Sequence, residues 1–142
     1  MSSLATNAVT AVLAALTGVP GLPTPQRVYM RPVSADVAQA VVVQPAAAEP
    51  GAFDMAGQPI SWAISVAVEC FARFGAGTAP DVAVDALSQA AYAAVMADPT
   101  LGGVAANTEP GPISFNFDAD GERTACATVL FTVLQRATPG VF

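Results

Sequence analysis

The chain has 142 residues, a formal net charge of −6, five basic residues that are all arginine, and no histidine. That length fits one domain able to bury about two thirds of its unfolded surface; no apolar run reaches the ~20 residues of a membrane span, and no basic region precedes the N-terminal apolar stretch, so no signal peptide is expected. Nothing supplies the basic patch that electrostatic attachment to nucleic acid needs, and an anionic membrane surface is disfavoured for the same reason.

Ser2 to Leu16 predicts a first helix, capped by Ser2 or Ser3, with Leu4, Ala5, Ala8, Val9, Val12, Leu13 and Leu16 on one stripe. Gly18 and Pro20 stop it, and turn-rich residues follow to Pro25. Gln26 to Pro32 predicts a short strand that Pro32 ends or marks as an edge. Val37 to Gln44 predicts a second, whose Val41-Val42-Val43 run implies burial on both faces. Pro45 to Pro59 has no period and is rich in proline, glycine and alanine, which predicts a long loop or a protruding hairpin.

Ile60 to Phe74 (ISWAISVAVECFARF) organises the rest of the chain. Trp62, Ile64, Val66, Val68 and Cys70 alternate with Ser61, Ala63, Ser65, Ala67 and Glu69. Strict alternation is the period of a strand, with one apolar face and one small or polar face. Its length predicts a central strand with neighbours on both edges and helices on the apolar side.

Asp81, after Pro80, can cap a second helix over Val82 to Ala97, with Val84, Leu87, Ala91 and Val95 on its stripe. Asp98-Pro99 ends that helix, and Leu101-Gly102-Gly103 forms a turn. Gly111 to Asp118 then predicts a strand from the alternation of Ile113, Phe115 and Phe117 with Ser114 and Asn116. An Asp-Gly turn leads into a last strand over Thr124 to Gln135, which makes a hairpin. Residues 137–142 read as a short tail. The order predicts a single α+β domain over residues 1–142, a mainly antiparallel sheet with two helices packed on one face.

Little in the chain carries chemistry. Acid–base catalysis most often uses histidine, and nucleophile triads of the Ser-His-Asp or Cys-His type need it. No lysine is present for a Schiff base, so no enzyme activity is expected. Without histidine or a CxxC spacing, neither a metal site nor a cofactor site is expected. Cys70 and Cys126, far apart in predicted strands, read as a disulfide or as two buried thiols, the latter fitting a reduced compartment. Asp118, Asp120 and Glu122 read as a solvated hairpin turn; a calcium loop would need a distal bidentate glutamate. Glu69 and Arg73 lie in the central strand, with Glu69 on the face opposite Trp62, where it reaches solvent or a subunit interface. The Pro45–Pro59 segment, with Phe53 and Met55 as an apolar tip around Asp54, is either an arm that contacts a neighbouring molecule or a surface loop. Phe53, Asp54, Met55, Glu69 and Arg73 are therefore the candidate contact residues.

From about Arg27 to Arg136 the chain resembles the tail terminator (tail completion) proteins of long-tailed bacteriophages, the family of the lambda-type minor tail protein U. The likeness is in the order of elements and the local character of VAQAVVVQP, WAISVAVECFAR, MADPTLGGVA and TACATVLFTVLQR. Its most specific parts are Met96–Val104 and Asp120–Arg136. The resemblance implies a non-enzymatic virion protein of the tail–neck region, assembled in the host cytoplasm. It implies a hexameric ring that caps the tail tube, ends tube polymerisation and presents a surface to the head–tail connector protein. The implied partners are copies of itself, the tail tube protein and the connector. Other readings stay open at this point: another neck or head-closure protein, a small α+β ligand-binding module, or an enzyme working through carboxylates alone.

Overall fold

In the computed structural model, residues 3–27, 39–51, 59–73, 79–117, 124–137, 140 and 142 are described. Helix α1 spans Leu4–Leu16. Ser3 is its cap, its hydroxyl accepting from the Thr6 amide at 3.2 Å. The short strand β1 (Gln26–Arg27) follows, then β2 (Gln39–Pro50) and β3 (Ile60–Arg73). Helix α2 spans Pro80–Met96, and β4 (Asn107–Phe117) and β5 (Thr124–Ala137) complete the chain.

The five strands form one sheet in the order β1-β2-β3-β5-β4. The β1–β2 pair is parallel, and the other pairs are antiparallel. Thus β3 is central, as its alternation predicted. The chain leaves β3 through α2 and returns in β4, on the far side of β5. That crossover lays α2 over β3 and β5, while α1 covers β2 and β3. The fold is a single α+β domain with two helices on one face of a mixed, mostly antiparallel sheet.

The core lies between helices and sheet. Ile64, Val66, Val68 and Cys70 of β3 are fully buried there, with Val129, Phe131 and Val133 of β5. Ala8, Val9, Val12 and Leu16 of α1 and Val84, Leu87, Ala91 and Val95 of α2 pack down on them. These are the stripes that helical spacing places on one face. The Phe131 ring lies 6.3 Å from the Tyr92 ring, stacked at 24°. Residues Ala40 to Val43 are buried on both faces of β2, as the valine run implied.

Several boundaries differ from the sequence reading. Pro45–Pro50 belong to β2 and pair with β3, so this part of the segment is hairpin and not loop. A bulge between Pro45 and Ala47 breaks the register there. Both prolines are tolerated because, among the described residues, β1 covers β2 only at Val42 and Val43, leaving no ladder bond to lose on that edge. Gly51 continues the hairpin: its amide donates to the Ser61 carbonyl at 2.6 Å, and a Cβ would lie 2.9 Å from that oxygen. β4 begins at Asn107, ahead of the predicted Gly111, with a bulge between Pro110 and Ile113. The cap of α2 is Ala79, with no side-chain bond; Asp81 instead sits in the first turn, where its charge complements the positive end of the helix dipole. For the first predicted strand only Gln26 and Arg27 fall within the described residues. The Asp118–Glu122 turn lies outside them.

Between α2 and β4 the chain is held by Asp98. Its carboxylate accepts from the Thr100 hydroxyl at 2.6 Å, the Thr100 amide at 3.1 Å and the Gly102 amide at 2.9 Å. Leu101, Gly102 and Gly103 all have positive φ (50°, 72° and 95°), and Leu101 is buried despite that backbone. The bonds from Thr100 and Gly102 hold the Asp98 carboxyl below its ordinary range. A depressed folded pKa stabilises the fold above the unfolded carboxylate pKa and stops doing so as pH falls through the folded value. Asp98→Ala is therefore expected to lower the urea midpoint at pH 7, and the gap to the unmodified protein is expected to narrow as pH falls below the ordinary carboxylate range. A gap independent of pH would contradict this role for the charge.

Candidate interaction surface

The helical layer is not centred on the sheet. Helix α1 packs on β2 and β3, and α2 packs chiefly on β5 and β3, so β4 lies at the margin of the layer. Ile113, Phe115 and Phe117 pair with Val129, Ala127 and Ala125, so they share the helix-side face of the sheet. Their exposures are nevertheless 42%, 48% and 51%. The Phe115 and Phe117 rings stack 6.5 Å apart at 9°. Val82, at the start of α2, is 57% exposed beside them. Asp81, Val82, Asp85, Phe115 and Phe117 line an open groove of about 400 Å³.

The backbone of β4 is as informative as its side chains. Among the described residues it is an edge strand, paired only with β5. Its first half is blunted by Glu109, Pro110, Pro112 and the bulge, devices that discourage pairing with another chain. Ile113 to Phe117 (ISFNF) has no charge, no proline and strict alternation, so it offers an unprotected edge.

The other face of the sheet carries the small residues of β3. Ala63 and Ser65 are half-buried there and Ala67 is buried, beside half-buried Leu130, Thr132 and Leu134 of β5. No helix packs on this face among the described residues. Glu69 lies on it, half-buried, and accepts from the Gln44 amide at 2.9 Å across the β2–β3 pair. Burial pushes its carboxyl up, and the bond from Gln44 partly opposes that. A raised folded pKa favours the fold below the unfolded carboxylate pKa, and that contribution is lost as pH rises through the folded value. Glu69→Gln is therefore expected to raise the urea midpoint at pH 7 and to leave it unchanged near pH 3. A lower midpoint at pH 7 would mean that the charge is stabilised there by a partner.

Of the other sequence candidates, Phe53, Asp54 and Met55 lie outside the described residues. The backbone of Arg73 pairs with Thr124 at the end of β3, and its side chain lies outside the described residues. The residues that sequence reading passed over are Val82, Ile113, Phe115 and Phe117. Their alternation identified a strand, but alternation is the same for a covered and an uncovered face.

Cys70 pairs with Ala127, and Cys126 with Phe71, so the two thiols project from opposite faces of the sheet and form no bridge. Burial pushes the Cys70 thiol up to about 12, with nearby Cys126 and Glu69 adding to the rise, which leaves it a packing group and not a nucleophile. Among the described residues no group of His, Cys, Asp or Glu could hold a metal ion. A second cleft, of about 780 Å³, lies between α1 and the end of α2. Its walls include Ala11, Ala14, Ala15 and Ala94, and its polar side chains are Asn7, Thr10 and Asp98. The Asp98 carboxylate is taken up by its own turn, and the Thr10 hydroxyl donates to the Thr6 carbonyl at 2.9 Å and accepts from Arg27. No set of polar groups converges on this cleft as a small-molecule site requires.

No protein-family model matches the chain, and no curated protein sequence does. Among solved structures, the chain is similar to one described as the sheath/tube terminator of an extracellular contractile injection system (PVC) in its extended state. The similarity has a TM-score of 0.45 at 10% identity, over 99% of this chain and 59% of that one. The chain thus spans about 59% of the length of that terminator chain.

Proposed function

We propose that this chain is a non-enzymatic structural protein that caps a phage-type tail tube. In this reading it forms a hexameric ring at the tube end, stops polymerisation and offers its far side to the head–tail connector protein. It works in the tail–neck region of a virion, after assembly in the host cytoplasm. The observation that carries the reading is the unprotected apolar edge at Ile113–Phe117. Such an edge is an aggregation hazard in a free monomer and an asset in a protein built to be covered. The sequence resemblance over Arg27 to Arg136 supplies the kind of assembly, and a ring needs the heterologous contacts that distinct patches on one subunit provide.

The test uses tubes growing from the purified tail tube protein of the same virion. Addition of this protein during growth is expected to freeze the length distribution at its value at that moment, as read by electron microscopy. Tubes that keep lengthening at the control rate would refute the capping role.

A further inference from the structure

The β4 edge carries two independent signals, one in its backbone and one in its surroundings. Over Ile113–Phe117 the strand pairs with β5 alone, so among the described residues its outward N–H and C=O groups have no ladder partner. Glu109, Pro110, Pro112 and the bulge blunt the rest of β4, so a further strand can add only alongside Ile113–Phe117. The occupant that satisfies such an edge is an extended peptide, because its own backbone supplies the missing bonds.

The surroundings set the chemistry of that peptide. The stacked, half-exposed rings of Phe115 and Phe117 lie on the helix side of the edge. Asp81 and Asp85 line the same groove, both exposed. Asp85 accepts only from the neutral Gln89 amide, at 3.1 Å, and neither carboxylate meets a cation among the described residues. A long cationic side chain fits both features: its apolar stem lies along the rings and its charged head reaches the carboxylates. A second copy laid symmetrically edge to edge would instead bring two such carboxylate pairs toward each other, in a chain already at −6, and like charges disfavour that arrangement.

We infer that the Ile113–Phe117 edge takes up, as an added strand, an extended segment of a different protein whose residues facing Asp81 and Asp85 are arginine or lysine interspersed with apolar ones. The backbone bonds hold the segment along β4, and the carboxylates select its charge. The inference rests on the reading of β4 as the working surface and adds the chemistry of what covers it; it does not depend on the closure of a ring.

The probe is a synthetic peptide, Thr-Arg-Thr-Val-Thr-Arg-Thr, which when extended puts arginine and valine on one face and threonine on the other. Fluorescence anisotropy is expected to show it binding the full chain with a Kd of about 1 mM or tighter, more weakly as salt is raised. Hydrogen exchange is expected to slow at amides within Ile113–Phe117 when the peptide is bound. The double change Asp81→Asn with Asp85→Asn, whose fold circular dichroism can verify, is expected to weaken binding about fivefold. A peptide with glutamate in place of arginine, and one with every backbone amide methylated, are expected not to bind. A methylated peptide that binds as well as the first would rule out strand addition. A glutamate peptide that binds as well would rule out a cationic occupant. No binding of the arginine peptide at ~1 mM would overturn the inference outright. Slow exchange at Ile113–Phe117 in a free protein that sediments as a dimer would give the edge to a second copy and overturn it too. Tube lengths decide capping separately, so tube arrest that persists after any of these failures leaves the capping role standing on another contact.

Discussion

Phe131→Ala is expected to cost about 3–5 kcal/mol of folding stability. Among the described residues Phe131 is the largest of the fully buried side chains, on the strand next to the centre of the sheet. It lies across from Val66 on one side and Pro110 on the other, under the Tyr92 ring. Removing it deletes the transfer free energy of a phenyl ring and leaves a cavity that α2 and the sheet can only partly close. Domains of this size are held by only about 5–15 kcal/mol in total, so the loss is a large fraction of what holds the fold. A urea titration should show a large fall in midpoint with little change in slope, and thermal unfolding should move down by on the order of 10 °C. A midpoint within the error of the unmodified protein would show that the space between α2 and β5 is not packed as described.

The second large effect falls on the same face of the sheet with the opposite outcome. Phe115→Ser together with Phe117→Ser is expected to change the unfolding free energy from a urea titration by no more than about 1 kcal/mol, since half-exposed side chains on an edge strand contribute little to the core. The same pair is expected to abolish arrest of tube growth, because it removes the two stacked rings from the apolar groove. Phe131 and Phe115 differ in burial, 0% against 48%, and that difference separates a stability effect from a functional one. Unchanged tube arrest by the double variant would remove the β4 edge from the working surface. A large fall in stability would show that these rings are core residues.

The reason these outcomes differ also explains what the sequence could convey. Strand β3 was legible because Trp62 to Cys70 alternate without a break, and a helix has the wrong period for that pattern. Both helices were legible from their apolar stripes and from the proline and glycine residues at their ends. The second half of β2 was not fully legible, because Pro45-Ala46-Ala47-Ala48-Glu49-Pro50 has neither strand propensity nor alternation. Pairing with β3 holds it in the sheet against that propensity, and the uncovered edge excuses its prolines. The start of β4 was hidden for the same reason, since Asn107-Thr108-Glu109-Pro110 gives no apolar rhythm.

The candidate surface was the least legible part. Ile113, Phe115 and Phe117 carry the signature of a half-buried strand, and only the tertiary placement of α2 over β3 and β5 leaves them uncovered. Glu69 was placed correctly on the face away from the helices. Its neighbour Gln44 was not foreseen, because register across a β-pair depends on the bulge at Pro45. The turn at Asp98 shows the reverse situation. In the compact phrase Asp98-Pro99-Thr100-Leu101-Gly102-Gly103 the glycines announce a turn, and its physical content is a carboxylate that ties down a backbone with three successive positive φ angles.

The central claim is that this chain works at the end of a tube. The most direct test is to tag the protein with gold, mix it with preformed tubes of the tail tube protein from the same virion, and locate the label by negative-stain electron microscopy. The account requires label at one end of each tube and none along its sides. Label spread along the walls, or tubes left unlabelled at saturating protein, would contradict it.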